Sequence, residues 1–184
     1  VPEVARIEQL VARVRDALGP DGVLMIDAFA RWNIDSTLAV AAAVAPHGVE
    51  WLEEPLLPSD LTGYAQLMQA SPVPIAGGEH EYLAAGFARL IDEQLHAVLQ
   101  PDINWCGGLT TLVEIYRMAA ARGVRVVPHR GAEAYAIHAL AALDPQPLAE
   151  SPRTWFHCLV GAPAIQQGMI RVPQAPGFGV AVAT

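Results

Sequence analysis

Short runs of continuous apolar residues recur along the chain, and each hands over to a segment with helical spacing. VLMID (23–27) leads to a helix over 35–45 capped by Asp35, and VEWLEE (49–54) to one over 60–70 with Asp60 at its N-cap. VPIAGGE (73–79) precedes a helix over 82–93, and HAVLQPD (96–102) one over 109–122 closed by Gly123. VRVVPH (124–129) precedes a helix over 133–143, and PLAE (147–150) reads as a short sixth strand. Residues 4–17 form an opening helix that Gly19-Pro20 stops. Strands that are apolar throughout, rather than alternating, are buried on both faces, as in a parallel sheet covered by helices. Repeated β-then-α units set an α/β fold. A doubly wound sheet and a (β/α)8 barrel both satisfy this pattern. No G-x-G-x-x-G follows the first strand, which counts against a dinucleotide site.

The residues that close these strands carry the chemistry. They are Asp27, Glu53, Glu79, Asp102, His129 and Glu150, and the first three are separated by 26 and 26 residues. In a barrel, residues at the C-terminal ends of the strands ring one mouth, where active sites of this fold sit. Singly, each acid is as well explained as a helix cap or a surface loop acid. Three in step after three buried strands converge, and their repulsion is tolerable only around something positive. An all-oxygen ligand set favours a hard cation such as Mg²⁺. In EWLEEPLLPSD (50–60), strand side chains alternate, so Glu53 and Glu54 face opposite ways. Glu53 is in phase with the other two acids. Glu54, held extended by Pro55, points away or supports the ligands from behind.

A second pair stands beside them. Asp102 ends one strand and His129 the next; a carboxylate on one imidazole nitrogen fixes the tautomer and raises the basicity of the other. His80 follows Glu79 and reaches the same mouth, whereas His47, His96, His138 and His157 fit no pattern and read as structural or exposed.

Composition narrows the classes. A net charge of −8 disfavours nucleic acid, and 53% hydrophobic residues in 184 build a folded core rather than a disordered chain. No apolar run approaches the roughly 18 residues needed to span a membrane, and no signal peptide is expected. Cys106 and Cys158 fit no metal spacing and read as buried, reduced thiols of a cytoplasmic protein. All 11 basic residues are arginine, so no residue of this chain can act as a lysine base.

Taken in order, the Asp, W-x-E-E-P, G-G-E, Q-P-D, a strand ending in His, and a final Glu resemble the enolase superfamily, best its mandelate racemase subgroup. IAGGEHEY (75–82), QPDINWCGGLTTLVEI (100–115) and VVPHRG (126–131) look closest to L-rhamnonate dehydratase-like acid-sugar dehydratases, and PGFGVAV (176–182) is similar to the family's tail. The likeness covers nearly the whole chain.

The resemblance implies a partial (β/α)8 barrel of about six βα units, strands 3 to 8 of the eight. On this reading the family's N-terminal capping domain and first two strands would be absent. Residues 1–160 would be barrel, and 161–184 the segment that in the family returns to the cap. Asp27, Glu53 and Glu79 would hold one Mg²⁺, which binds the carboxylate of a sugar acid. His129, oriented by Asp102, would be the base that takes the α-proton. Loss of the β-hydroxyl would then give a 2-keto-3-deoxy acid. Glu150 would be a catalytic residue hydrogen-bonded to the substrate, and His80 a substrate contact. Homo-oligomers are usual in the family. Arg130 departs from the pattern, standing where glycine is expected after the active-site His. A racemase or epimerase shares the first proton abstraction but needs a base on each face of its substrate. A non-catalytic fragment is the alternative of another class, because six strands leave two parallel edges open.

Overall fold

Strands form where the apolar runs fall; Asp27 and Glu53 close theirs, whereas Glu79, Asp102 and His129 lie just beyond the ends of theirs, in the loops that follow. The computed structural model describes residues 3–131, 134–151 and 159–183. The chain divides into two compact units, Val1–Gly78 with Arg89–Val98, and Glu79–Ala88 with Leu99–Thr184.

In the first unit, helix α1 (Val4–Leu18) precedes β1 (Leu24–Asp27), α2 (Ile34–Val44), β2 (Val49–Glu53), α3 (Leu61–Ala70) and β3 (Ile75–Gly77). β1 and β2 are parallel, with Asp27 opposite Glu53, and β2 and β3 are parallel, with Glu53 opposite Ala76. Val40, Ala41, Val44, Leu52, Leu67 and Ile75 are buried, so the helices cover the sheet with aliphatic side chains. α1 lies against α2. There Arg15 donates from Nε to the His47 carbonyl (2.8 Å), from Nη1 to those of Gly19 (3.0 Å) and Gly22, and from Nη2 to that of Gly48 (3.0 Å).

Asp60 caps α3, its side chain accepting from the Gly63 N–H at 2.9 Å. The expected cap of α2 is corrected. Asn33, not Asp35, is the N-cap, and it forms a reciprocal capping box with Ser36. Asn33 keeps an extended backbone and can turn its oxygen onto the Ser36 N–H. Asp35, already inside the first turn, has no such geometry.

β4 (Val98–Leu99) follows α4 (Leu83–Asp92), and the second unit continues with α5 (Gly108–Arg122), β5 (Arg125–Val126) and α6 (Ile137–Leu143). Gly123 closes α5 in the left-handed conformation, as expected of a C-terminal glycine. Leu99, Leu112, Ile115, Ala119, Val126 and Leu140 form this unit's core. Beyond them, β6 (Leu159–Val160) pairs antiparallel with β9 (Ala181–Val182), and β7 (Ile165–Gln166) with β8 (Met169–Ile170).

β1 to β5 make one parallel sheet in strict sequence order. That order is the one consecutive barrel strands follow, and it excludes a doubly wound sheet, whose order reverses at a switch point. Among the described residues the sheet has five strands, not six. PLAE (147–150) is irregular, because Pro145 and Pro147 remove ladder donors and the Gln146 N–H turns back onto the Asp144 carboxylate (2.9 Å). Cys106 is buried and reduced, as expected; Cys158 and His157 lie outside the described residues. Among the described residues, no helix is long and apolar enough to cross a membrane.

Candidate active site

In the first unit, the parallel register sets two acids side by side. Asp27 and Glu53 are partners at the ends of β1 and β2, so their side chains leave the same face of the sheet. The Phe29 N–H donates to Asp27 Oδ1 at 2.8 Å, and Trp51 Nε1 stands 3.4 Å from Glu53 Oε2. Two adjacent carboxylates at a strand mouth form the donor set a hard cation takes. Glu54 departs from expectation. It is buried, and its φ is +36°, so Pro55 does not hold it extended. The backbone on both sides dictates this turn. The Glu54 N–H bonds the Ala76 carbonyl (3.0 Å), while the Glu53, Glu54 and Pro55 carbonyls accept from Ala28 (2.9 Å), Ala30 (2.7 Å) and Trp32 (2.9 Å). Phe29 and Ala30, just after β1, also have positive φ, at +52° and +54°. Strain held in place by surrounding hydrogen bonds is a mark of functional loops.

The second unit contains a His–Asp dyad. His129 Nδ1 lies 2.9 Å from Oδ2 of the fully buried Asp102. On the other side, His129 Nε2 is 3.2 Å from Glu79 Oε2 and 4.0 Å from Glu150 Oε2. Asp102 is itself pinned, its Oδ1 accepting from the Asn104 N–H (2.7 Å) and side-chain amide (3.1 Å). Burial pulls the His129 imidazole down, but the Asp102 hydrogen bond and the Glu79 and Glu150 charges outweigh it and raise its pKa above the ordinary value. Burial pushes the Asp102 carboxyl up, and the His129 and Asn104 hydrogen bonds bring it below its usual range. Nδ1 thus faces the Asp102 carboxylate, which orients the ring and sets Nε2 toward Glu79 and Glu150.

Around this dyad stand His80, with Nδ1 3.6 Å from Glu79 Oε1, and Trp105, whose ring lies 5.6 Å from that of His80 and 6.0 Å from that of His129. Glu150 is anchored through the Arg130 N–H, which donates to its Oε2 at 2.8 Å. Within this unit the structure therefore gathers Glu79, His80, Asp102, His129 and Glu150. Trp105 escaped the sequence reading, since nothing in QPDINWCGG separates a site-facing tryptophan from a core one.

The enolase C-terminal domain-like family model matches residues 1–184. The chain belongs to this family. It is 35% identical to an L-rhamnonate dehydratase of Saccharopolyspora erythraea over 96% of this chain and 48% of the relative. It is 32% identical to a D-galactarolactone cycloisomerase of Agrobacterium fabrum over 95% of this chain and 50% of the relative. The L-talarate dehydratase of Polaromonas sp. JS666, solved with Mg and L-glucarate, superposes with a TM-score of 0.88 at 30% identity, over 100% of this chain and 51% of that one. The chain thus spans about half the length of the relatives it matches, and its five-stranded parallel sheet is a partial barrel of the enolase type. Mg, the cofactor the sequence implies, is present in that talarate dehydratase structure.

Proposed function

We propose that this chain carries the chemical half of a Mg²⁺-dependent acid-sugar dehydratase. The observation that carries this reading is the His129–Asp102 pair, with Nδ1 held at 2.9 Å and Nε2 turned toward Glu79 and Glu150. Asp27, Glu53 and Glu79 would hold the Mg²⁺. Bound there, the ion would offset the negative charge that grows on the substrate carboxylate as the α-proton leaves.

His129 Nε2 takes the proton from the carbon next to that carboxylate, and Asp102 stabilises the imidazolium that results. The electron pair left behind expels the β-hydroxyl, to which His129 returns the proton, releasing water. The enol that remains becomes the 2-keto-3-deoxy acid. Glu150, with Oε2 4.0 Å from His129 Nε2, hydrogen-bonds the acid end of the substrate, and His80 contacts the substrate. The partner is a small sugar acid, and a cytoplasmic homo-oligomer belongs to the same reading, as does the assignment of 161–184 to the cap-returning segment.

Racemisation, epimerisation and cycloisomerisation begin with the same proton abstraction, and the 32% identical cycloisomerase keeps that chemistry in view. Among the described residues one His–Asp dyad is present, which favours dehydration over a two-base racemisation.

Two measurements test the reading. His129→Asn is expected to abolish α-proton exchange into D₂O while leaving Mg²⁺ binding nearly intact; exchange at the wild-type rate would show that His129 is not the base. In calorimetric titration, Glu53→Gln is expected to weaken Mg²⁺ binding far more than Glu54→Gln, and equal losses would overturn the assignment of different roles to the two acids.

A further inference from the structure

Arg130 follows the base directly, and its backbone is held at φ +54°, the left-handed region that favours glycine. A chain that keeps arginine at such a position tolerates strain that glycine would relieve, and strain of this kind points to use of the side chain. The guanidinium is not spent on folding. Among the described residues it enters no ion pair, and it lies against Trp105, 6.0 Å from Cζ to the ring centroid. The same indole lies 6.0 Å from the His129 ring. The half-buried cation and His129 therefore both lie beside one partly exposed indole. The neighbouring side chains Glu79, Asp102 and Glu150 are all acids, so the cation is the group here that attracts a further anion.

We propose that Arg130 binds the far end of the substrate, and that the substrate is a sugar diacid rather than a monoacid. The proposal rests on the acid-sugar reading above. In a six-carbon acid, the carbon that loses its proton and the opposite carboxyl carbon are about 5 Å apart along the chain. A molecule with its α-carbon at His129 Nε2 and its chain laid over Trp105 thus extends its second carboxylate toward Arg130. Guanidinium recognises a carboxylate through two parallel N–H···O bonds, and the C–H face of the sugar chain suits the indole.

The test compares, by calorimetry with Mg²⁺ present, glucarate with gluconate and galactarate with galactonate. Each pair differs only in a carboxylate against a hydroxymethyl group. At least one diacid is expected to bind about tenfold or more tighter than its monoacid. In Arg130→Gly, which suits the backbone conformation, and in Arg130→Gln, the ratio is expected to fall to within about twofold, with Arg130→Lys in between. Equal affinities in the wild type, a ratio that survives Arg130→Gly, or failure of every acid to bind overturns the proposal. Tighter binding of 6-phosphogluconate than of glucarate overturns the diacid assignment in favour of a terminal phosphate. Exchange of the α-proton followed on the same samples separates the two readings. Arg130-dependent discrimination without exchange removes the dehydratase, not the diacid site.

Discussion

His129 Nδ1 and Asp102 Oδ2 meet at 2.9 Å although the residues are 27 apart in sequence, and no solvent reaches the carboxylate. The anion holds the imidazole proton in place, so removing the charge must ease deprotonation. Asp102→Asn is expected to lower the His129 pKa, read from the imidazole resonances in a pH titration; an unchanged midpoint would mean that Asp102 does not set the basicity. The sign carries over to stability. A His whose pKa is raised on folding contributes fully below its unfolded value of 6.5, and loses that contribution as pH rises through the folded one.

His96 runs the opposite way. Burial drives its pKa from 6.5 down to about 4, and Nδ1 is buried without a partner. The unfolded chain therefore binds this proton more readily than the folded one, and stability is lost as pH falls from 6.5 toward about 4. The limiting loss is about 3 kcal/mol at 1.36 kcal/mol per unit. Urea melts across this window should show the slope in the wild type and a flatter one in His96→Gln; parallel slopes would assign the acid sensitivity elsewhere.

Gly77 is fixed by space. A Cβ there would lie 2.8 Å from His96 Nε2 and 3.4 Å from Glu54 Cγ. Gly77→Ala is expected to cost about 1–3 kcal/mol by crowding a packed interior. Adding His96→Ala should return part of that loss, giving a measurable coupling in a double-mutant cycle. Simple additivity would mean that the ring is not the obstacle.

The N-terminus of α2 offers a local test. Asn33→Ala is expected to lower stability by about 1 kcal/mol through loss of the cap. Asp35→Ala, which removes only a charge near the helix dipole, should cost less than about 0.5 kcal/mol. Thermal melts of the two variants rank them, and the reverse order would contradict the capping box.

What the sequence disclosed and what it hid follow from range. The first five strand positions, the Asp60 cap and the Gly123 stop were legible, since each is decided within a few residues by apolar runs, side-chain oxygens or the freedom of glycine. The spacing of Asp27 and Glu53 forecast their register, because each βα unit spends a similar length of chain before returning to the sheet. Glu54 was misread, since its turn is imposed by hydrogen bonds from Ala76 and from the loop after β1, partners no local rule contains. The last expected strand failed for a related reason: an apolar tetrapeptide becomes a strand only if its backbone finds a ladder, and the prolines beside PLAE deny one. Trp105 had no signal in its own segment; only folding brings it beside His129.

Arg15 donates to four carbonyls, two in the loop after α1 (Gly19 and Gly22) and two in the turn after α2 (His47 and Gly48), and so ties the two segments together. None of these four oxygens belongs to the sheet, yet all depend on one planar group whose forked N–H donors a lysine would lack. Fraying of the first helix and opening of the turn before β2 are therefore one event, and amide protons in the two segments should share a single protection factor.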